Sequence, residues 1–269
     1  MNMRGPSPMS YDEAAVLQRE VADRLLDQLD FMLIEPKVIL DCGARTGYLS
    51  KKLEKRYPNA QIIALDISTR LQESTLRSIR LCSGYESLPL QKQSVDMIVS
   101  NCALQWTSDV SRCFREFQRV LKPEGLILFS MFGRDTLKEL RESSNVTGKR
   151  PINPFLDMHD VGDLLLQSGF QDPVMNMEMI TMHYQSVQTL FKDLKITEEG
   201  HIQAHRLPGL MGKNRWKNML SNYEKCRVDD AYPASFEIVY GHAWQADQPA
   251  SSFQNDAGES LISIDSIQK

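Results

Sequence analysis

Val38-Ile39-Leu40-Asp41-Cys42-Gly43-Ala44-Arg45-Thr46-Gly47 is a short apolar run that ends on an acid and a glycine-bearing turn. Uninterrupted aliphatics of this length read as a strand buried on both faces. The turn opens a helix from Tyr48 to Tyr57 that Pro58 stops. Glycine allows positive φ and a close backbone approach to a ligand, and the helix start offers unpaired N–H donors. Asp66, nineteen residues after Gly47, closes the next apolar run, Ile62-Ile63-Ala64-Leu65. A carboxylate there can accept hydrogen bonds from both ribose hydroxyls of an adenosine. Two fingerprints compete for the turn. G-x-G-x-x-G placed on Gly43 meets Arg45 and Tyr48 where glycines belong, whereas D-x-G-x-G-x-G keeps Asp41, Gly43 and Gly47 and fails only at Arg45. The second fits better, and a glycine turn that serves packing alone is the remaining alternative.

Outward from this unit the alternation continues. Upstream, Ala14, Leu17, Val21, Leu25 and Leu29 recur at helical spacing before Pro36. Downstream, Thr69–Ile79 reads as a helix, Val95–Ser100 as a strand, Val110–Leu121 as a helix ended by Lys122-Pro123-Glu124-Gly125, and Leu126–Phe132 as a strand. Apolar strands separated by helices predict an α/β fold: a Rossmann-like, doubly wound, mostly parallel seven-stranded sheet. In the C-terminal half Asp160–Gln167 reads as a helix stopped by Gly169, Met175–Tyr184 as a strand, Val187–Leu194 as amphipathic and Phe236–Tyr240 as β-rich. Ile196–Trp216, with Gly200, Pro208, Gly209 and Gly212, reads as a surface insertion. The expected organisation is one domain over 1–245, with a lid helix at 10–35, a cofactor-binding core at 37–132 and a substrate insertion at 185–227. The Ser-, Gln- and Asp-rich stretch 246–269 is expected to be an unstructured tail.

Composition sets the surroundings. Lysine and arginine number 31 against 35 acidic residues, a formal charge of −4 that gives no reason to expect nucleic-acid binding. Cys42, Cys82, Cys102, Cys113 and Cys226 contain no C-x-x-C pair, which argues against a disulfide framework or a zinc knuckle. His201 and His205 are spaced like ligands on a helix, but no Glu follows His201 and Pro208 soon interrupts, so no metal is expected. Residues 1–10 lack the apolar core of a signal peptide and no run could span a bilayer. These features predict a cytoplasmic monomer without membrane contact.

The D-x-G-x-G-x-G pattern belongs to sulfonium-cofactor methyltransferases. With Arg119-Val120-Leu121-Lys122-Pro123-Glu124-Gly125, it makes the chain resemble the class I S-adenosyl-L-methionine-dependent methyltransferases. Ser100-Asn101-Cys102-Ala103-Leu104-Gln105-Trp106 resembles one branch, the malonyl-acyl-carrier-protein O-methyltransferases of biotin synthesis. Tyr11–Gln18, Phe155–Asp163, Gly169–Met175 and Tyr240–Trp244 agree with that branch in the same order, so the resemblance covers about residues 10 to 245.

The resemblance implies S-adenosyl-L-methionine as cofactor and malonyl on an acyl carrier protein as acceptor. Asp41, Gly43, Arg45 and Gly47 would surround the methionine part, Asn101 its aminoacyl end and Asp66 the ribose, and Ile67 and Glu86 would also bind the cofactor. Gln105 and Trp106 would sit at the rim where substrate meets the methyl group, and Tyr11 and His159 are candidates for orienting the acceptor carboxylate. His159 has a competing reading as a helix-capping residue, and Tyr11 as a packed lid residue. The carrier is acidic, and residues 201–227 hold Arg206, Lys213, Arg215, Lys217, Lys225 and Arg227 against Glu224 alone. Arg206, Lys213, Arg215 and Lys217 are therefore the expected docking residues, against the alternative of an ordinary solvated face.

Two departures fall in the cofactor region. Arg45 stands where relatives carry glycine, and Gly84 where they commonly carry an Asp that reaches the adenine amino group. They motivate two alternatives: a methyltransferase for another small carboxylate or metabolite, and a non-catalytic relative with weakened cofactor binding.

Overall fold

β1 (Val38–Cys42) lies near the middle of a seven-stranded sheet with β2 (Gln61–Asp66) on one side and β4 (Val95–Asn101) on the other. The computed structural model describes residues 8–68, 78–144, 155–197, 213–246, 253–254 and 260–261. With β3 (Ile79–Cys82), β5 (Leu121–Phe132), β6 (Phe170–Tyr184) and β7 (Tyr232–Gln245), the strand order is β3-β2-β1-β4-β5-β7-β6. β3 to β5 are mutually parallel, and β7 runs antiparallel to both its neighbours. Strand order reverses between β1 and β4, so a crevice opens at their C-terminal ends, where such sheets bind ligands.

Alternating side chains build a core on each face. Ile39, Met97, Val99, Leu126 and Leu128 join one cluster, while Leu40, Cys42, Ile98, Ile127 and Phe129 join the other. The first face is covered by α2 (Val16–Asp27), whose Leu17, Val21 and Leu25 are buried, and by α3 (Tyr48–Arg56). α4 (Val110–Val120) and α6 (Met158–Gln167) cover the second through Phe114, Phe117, Val161 and Leu165. Each fully buried Leu or Phe contributes about 1.5–3 kcal/mol through removal from water. A short α1 (Pro8–Ala14) precedes α2, and α5 (Lys138–Ser144), α7 (Val187–Ile196) and α8 (Lys213–Tyr223) complete the C-terminal half.

Several boundaries differ from the sequence expectation for local reasons. Ile79 opens β3 instead of closing a helix; the edge strand Ile-Arg-Leu-Cys is largely exposed and so carries no apolar pattern. Residues 69–77 of that expected helix lie outside the described residues. Leu121 belongs to β5, and α4 ends at Val120. α6 starts two residues early because the Asp157 carboxylate accepts from the His159 N–H at its N-terminus. β6 extends back to Phe170, tolerating Pro173 at a register shift on the sheet edge. Inside the stretch expected to be an unstructured tail, Phe253–Gln254 pairs with Ser260–Leu261. Most of the expected insertion, 198–212, lies outside the described residues, together with Arg206, His201 and His205.

Candidate active site

Asp41 is the penultimate residue of β1, with its side chain on the face that α2 and α3 cover. It is 1% exposed; the Ser50 hydroxyl donates to Oδ2, and Oδ1 is buried with no partner. Burial pushes the carboxyl up to about 7; the Ser50 hydrogen bond opposes that rise and the nearby Asp66 charge adds to it.

The turn after β1 is set by backbone conformation. Gly43, Arg45 and Gly47 have φ of +90°, +49° and +82°, so the three alternate glycine positions of the fingerprint are all left-handed. At Arg45 this costs about 1–2 kcal/mol relative to glycine. The Gly43 and Ala44 N–H groups both donate to the Leu65 carbonyl, at 2.8 and 3.0 Å, and the Arg45 N–H donates to Asp66 Oδ2 at 2.9 Å. Asp66 Oδ1 accepts from the Ser68 N–H at 2.9 Å. Asp66 is thus buried beneath the loop as its organiser, and each oxygen keeps further acceptor capacity. A Cβ on Gly43 would stand 2.3 Å from the Ala103 Cβ and 3.3 Å from the Tyr85 hydroxyl oxygen.

The opposite wall comes from the N-terminal helices. Tyr11, Asp12, Ala15, Gln18 and Arg19 face Asp41, Gly43, Arg45, Thr46 and Asn101 across a partly open cleft. Asn101 joins the walls: its Nδ2 donates to the Gln18 carbonyl at 2.8 Å, and its Oδ1 accepts from the Ser130 hydroxyl at 2.8 Å.

Of the residues singled out in the sequence, Tyr11, Asp41, Gly43, Arg45 and Asn101 line this one cleft, and Gly47 starts the helix beside it. Ile67 is 51% exposed just past β2. Glu86 accepts from the Ser108 N–H and hydroxyl, both at 3.0 Å; despite its partial burial, these bonds hold its carboxyl below the usual range. Gln105 is buried with its amide donating to the Cys102 carbonyl, and with half-buried Trp106 it forms one turn that does not line the cleft. His159 is solvent-exposed at the start of α6, its Nδ1 3.0 Å from Asp157 Oδ1, and also stands apart from the cleft. Lys213 and Lys217 are exposed on α8, which also carries Arg215. Asp12, Arg19 and Ser50 escaped sequence reasoning because the polar face of a helix reads as a solvent face until its neighbour is known, and Thr46 and Tyr85 because a turn carries no periodicity that marks its partner. Among the described residues no cluster of three or more His, Cys, Asp or Glu could hold a metal ion, and no helix is long and apolar enough to cross a membrane.

An unpartnered buried carboxylate oxygen, a left-handed turn with glycine at both ends and a second acid under the turn fit a ligand with a cationic head and a ribose-bearing body. That is the chemistry of a sulfonium nucleoside. A methyltransferase-domain model matches residues 40–129, the stretch from β1 into β5 that builds one wall of the cleft. The fold resembles that of the YcgJ protein from Bacillus subtilis, 15% identical with a TM-score of 0.58 over 84% of this chain and 99% of that one. Similarity reaches 46% identity with malonyl-acyl-carrier-protein O-methyltransferase 1 of Coxiella burnetii, over 96% of this chain and 91% of the relative. It is 45% with the malonyl-acyl-carrier-protein O-methyltransferase of Gallionella capsiferriformans, over 94% of this chain and 90% of the relative. With near-complete coverage on both sides and a cleft of matching chemistry, the chain belongs to the malonyl-acyl-carrier-protein O-methyltransferase family.

Proposed function

We propose that the protein transfers the methyl group of S-adenosyl-L-methionine to the free carboxylate of malonyl held on an acyl carrier protein, giving the methyl ester that primes pimeloyl synthesis for biotin. The observation that carries this reading is the near-full-length likeness to relatives of that name, joined to the cleft around Asp41. When bound, the cofactor supplies a methyl group on a positively charged sulfur. The buried Oδ1 of Asp41 and the side chain of Asn101 are suited to its methionine end, the left-handed turn 43–47 to its close approach, and Asp66 to its ribose. The family resemblance puts Gly84 on the adenine side, where glycine offers no carboxylate.

The acceptor carboxylate is already ionised near neutral pH, so no general base is needed. What the chain must do is orient it and exclude water. Tyr11 stands in the wall of the cleft and suits that role, whereas the exposed, Asp157-paired His159 is better explained as support for the start of α6. The acidic carrier would dock on α8, where Lys213 and Lys217 are exposed and no acidic residue intervenes. The five free cysteines support a reducing, cytoplasmic setting.

Incubation with methyl-labelled cofactor and malonyl carrier tests the reading, with the methyl ester on the malonyl group as the expected product. Label on other acceptors alone would favour a different small-carboxylate enzyme. No label on any acceptor would favour a non-catalytic relative.

A further inference from the structure

We infer that Arg45, the residue that interrupts the glycine pattern, is a clasp that holds the N-terminal helices over the cleft and slows exchange of its occupant. The inference rests on the reading of the cleft as the cofactor site. Successive residues of the turn and the helix after it each grip α1 or α2. The Arg45 guanidinium lies 5.7 Å from the centre of the Tyr11 ring. The Thr46 hydroxyl donates to Asp12 Oδ1 at 2.6 Å, and Arg19 reaches that same carboxylate at 3.3 Å. Arg19 also lies 5.2 Å from the Tyr48 ring centre, and the Tyr48 hydroxyl donates to Asp23 at 3.0 Å, where Lys52 also pairs.

Within this seam the Arg45–Tyr11 pair, like Thr46–Asp12, joins residues that line the cleft from opposite walls, and it is the pair whose turn residue departs from the glycine pattern. Their contact therefore bridges the opening. A cation over an aromatic face holds that position without needing a hydrogen-bond acceptor in the turn. The turn needs only positive φ at position 45, which glycine supplies best, so the backbone gains nothing from arginine there. A side chain that opposes the local conformation but spans the site is explained by what it spans. Arg45 acts through Tyr11 and is a positioning residue for the α1 wall.

The test uses the full chain and S-adenosylhomocysteine as probe, with its dissociation rate followed by displacement in stopped flow. Arg45→Gly should raise that rate roughly three- to tenfold, while the thermal midpoint stays level or rises as the turn relaxes. Arg45→Lys should recover most of the retention, and Tyr11→Phe should keep it, because both preserve a cation over a ring. Tyr11→Leu should match Arg45→Gly, and the double variant should be no faster than either single one. Multiplicative effects in the double variant, or a fast rate in Arg45→Gly with Tyr11→Leu unchanged, would overturn the clasp, since Arg45 would then act on the ligand directly. Hydrogen exchange on the ligand-free protein separates the two layers. Faster exchange across residues 11–19 in Arg45→Gly supports the clasp by itself, and unchanged exchange refutes it. If the wild type fails to bind the probe, the cofactor reading falls whatever the exchange shows.

Discussion

Asp41 keeps one carboxylate oxygen buried without a partner, and its ionisation is the residue-scale property that ties stability to binding. Its folded carboxyl titrates at about 7, above the usual carboxylate range, so between the two values the folded chain holds a proton that the unfolded chain has lost. Stability from this group is complete below the ordinary carboxylate range and is lost as pH rises through about 7. Asp41→Asn should flatten that part of the stability profile, measured by thermal unfolding across pH. A cationic ligand prefers the ionised carboxylate, so affinity for S-adenosyl-L-methionine should climb as pH rises through about 7 in the wild type and stay low and flat in Asp41→Asn. Gly84 offers the reverse experiment. A Cβ there meets only Glu86 Oε2, at an ordinary 3.5 Å, so Gly84→Asp should fold normally. If it restores an adenine hydrogen bond worth about 1 kcal/mol, calorimetry should show about fivefold tighter cofactor binding. Asp41, Gly43 and Gly47 were legible in the sequence because their spacing is itself the turn geometry. Asp12 and Arg19 were not, because nothing in an amphipathic repeat says which polar residues meet another element.

At the scale of elements, the parallel strands β1, β2 and β4 were legible because burial on both faces leaves continuous aliphatic runs. β3 was hidden for the opposite reason: an exposed edge strand needs no apolar residues. The antiparallel pair β6 and β7 is longer than its apolar pattern, since β6 alternates exposed and half-buried positions along an edge that one neighbour alone pairs. β7 is held close to β5 by a missing side chain. A Cβ on Gly241 would lie 2.4 Å from the Phe129 ring and 2.9 Å from the Met175 sulfur. Gly241→Ala should therefore cost about 1–3 kcal/mol by overpacking, read as a lowered denaturant midpoint with cofactor affinity largely kept. Gly43→Ala should show the contrary balance, because its clash and its φ of +90° fall on the turn at the cleft. It should abolish cofactor binding out of proportion to its effect on unfolding.

Across the whole molecule, the net charge of −4 conceals segregation: the 201–227 segment alone holds six basic residues against one acid. If the carrier lands on α8, Lys213→Glu with Lys217→Glu should lower kcat/KM for malonyl carrier by about tenfold at low ionic strength and much less at high salt. A small malonyl thioester should react equally well with both proteins, and equal losses on the two substrates would remove α8 from the encounter. The count of charged residues marked this segment as basic but could not orient it, since orientation depends on how α8 lies against α5. The N-terminal helices carry a different consequence, one of timing. Leu17, Val21, Leu25 and Leu29 share one buried cluster with Met97, Leu128, Ile238 and Tyr240, and Arg24 pairs with Glu178 on β6. A ribosome delivers those leucines before the strands that cover them. The wall of the cleft is thus made before the strands it rests on, so a nascent or truncated chain that lacks β4 and β5 leaves an apolar helix face without its berth.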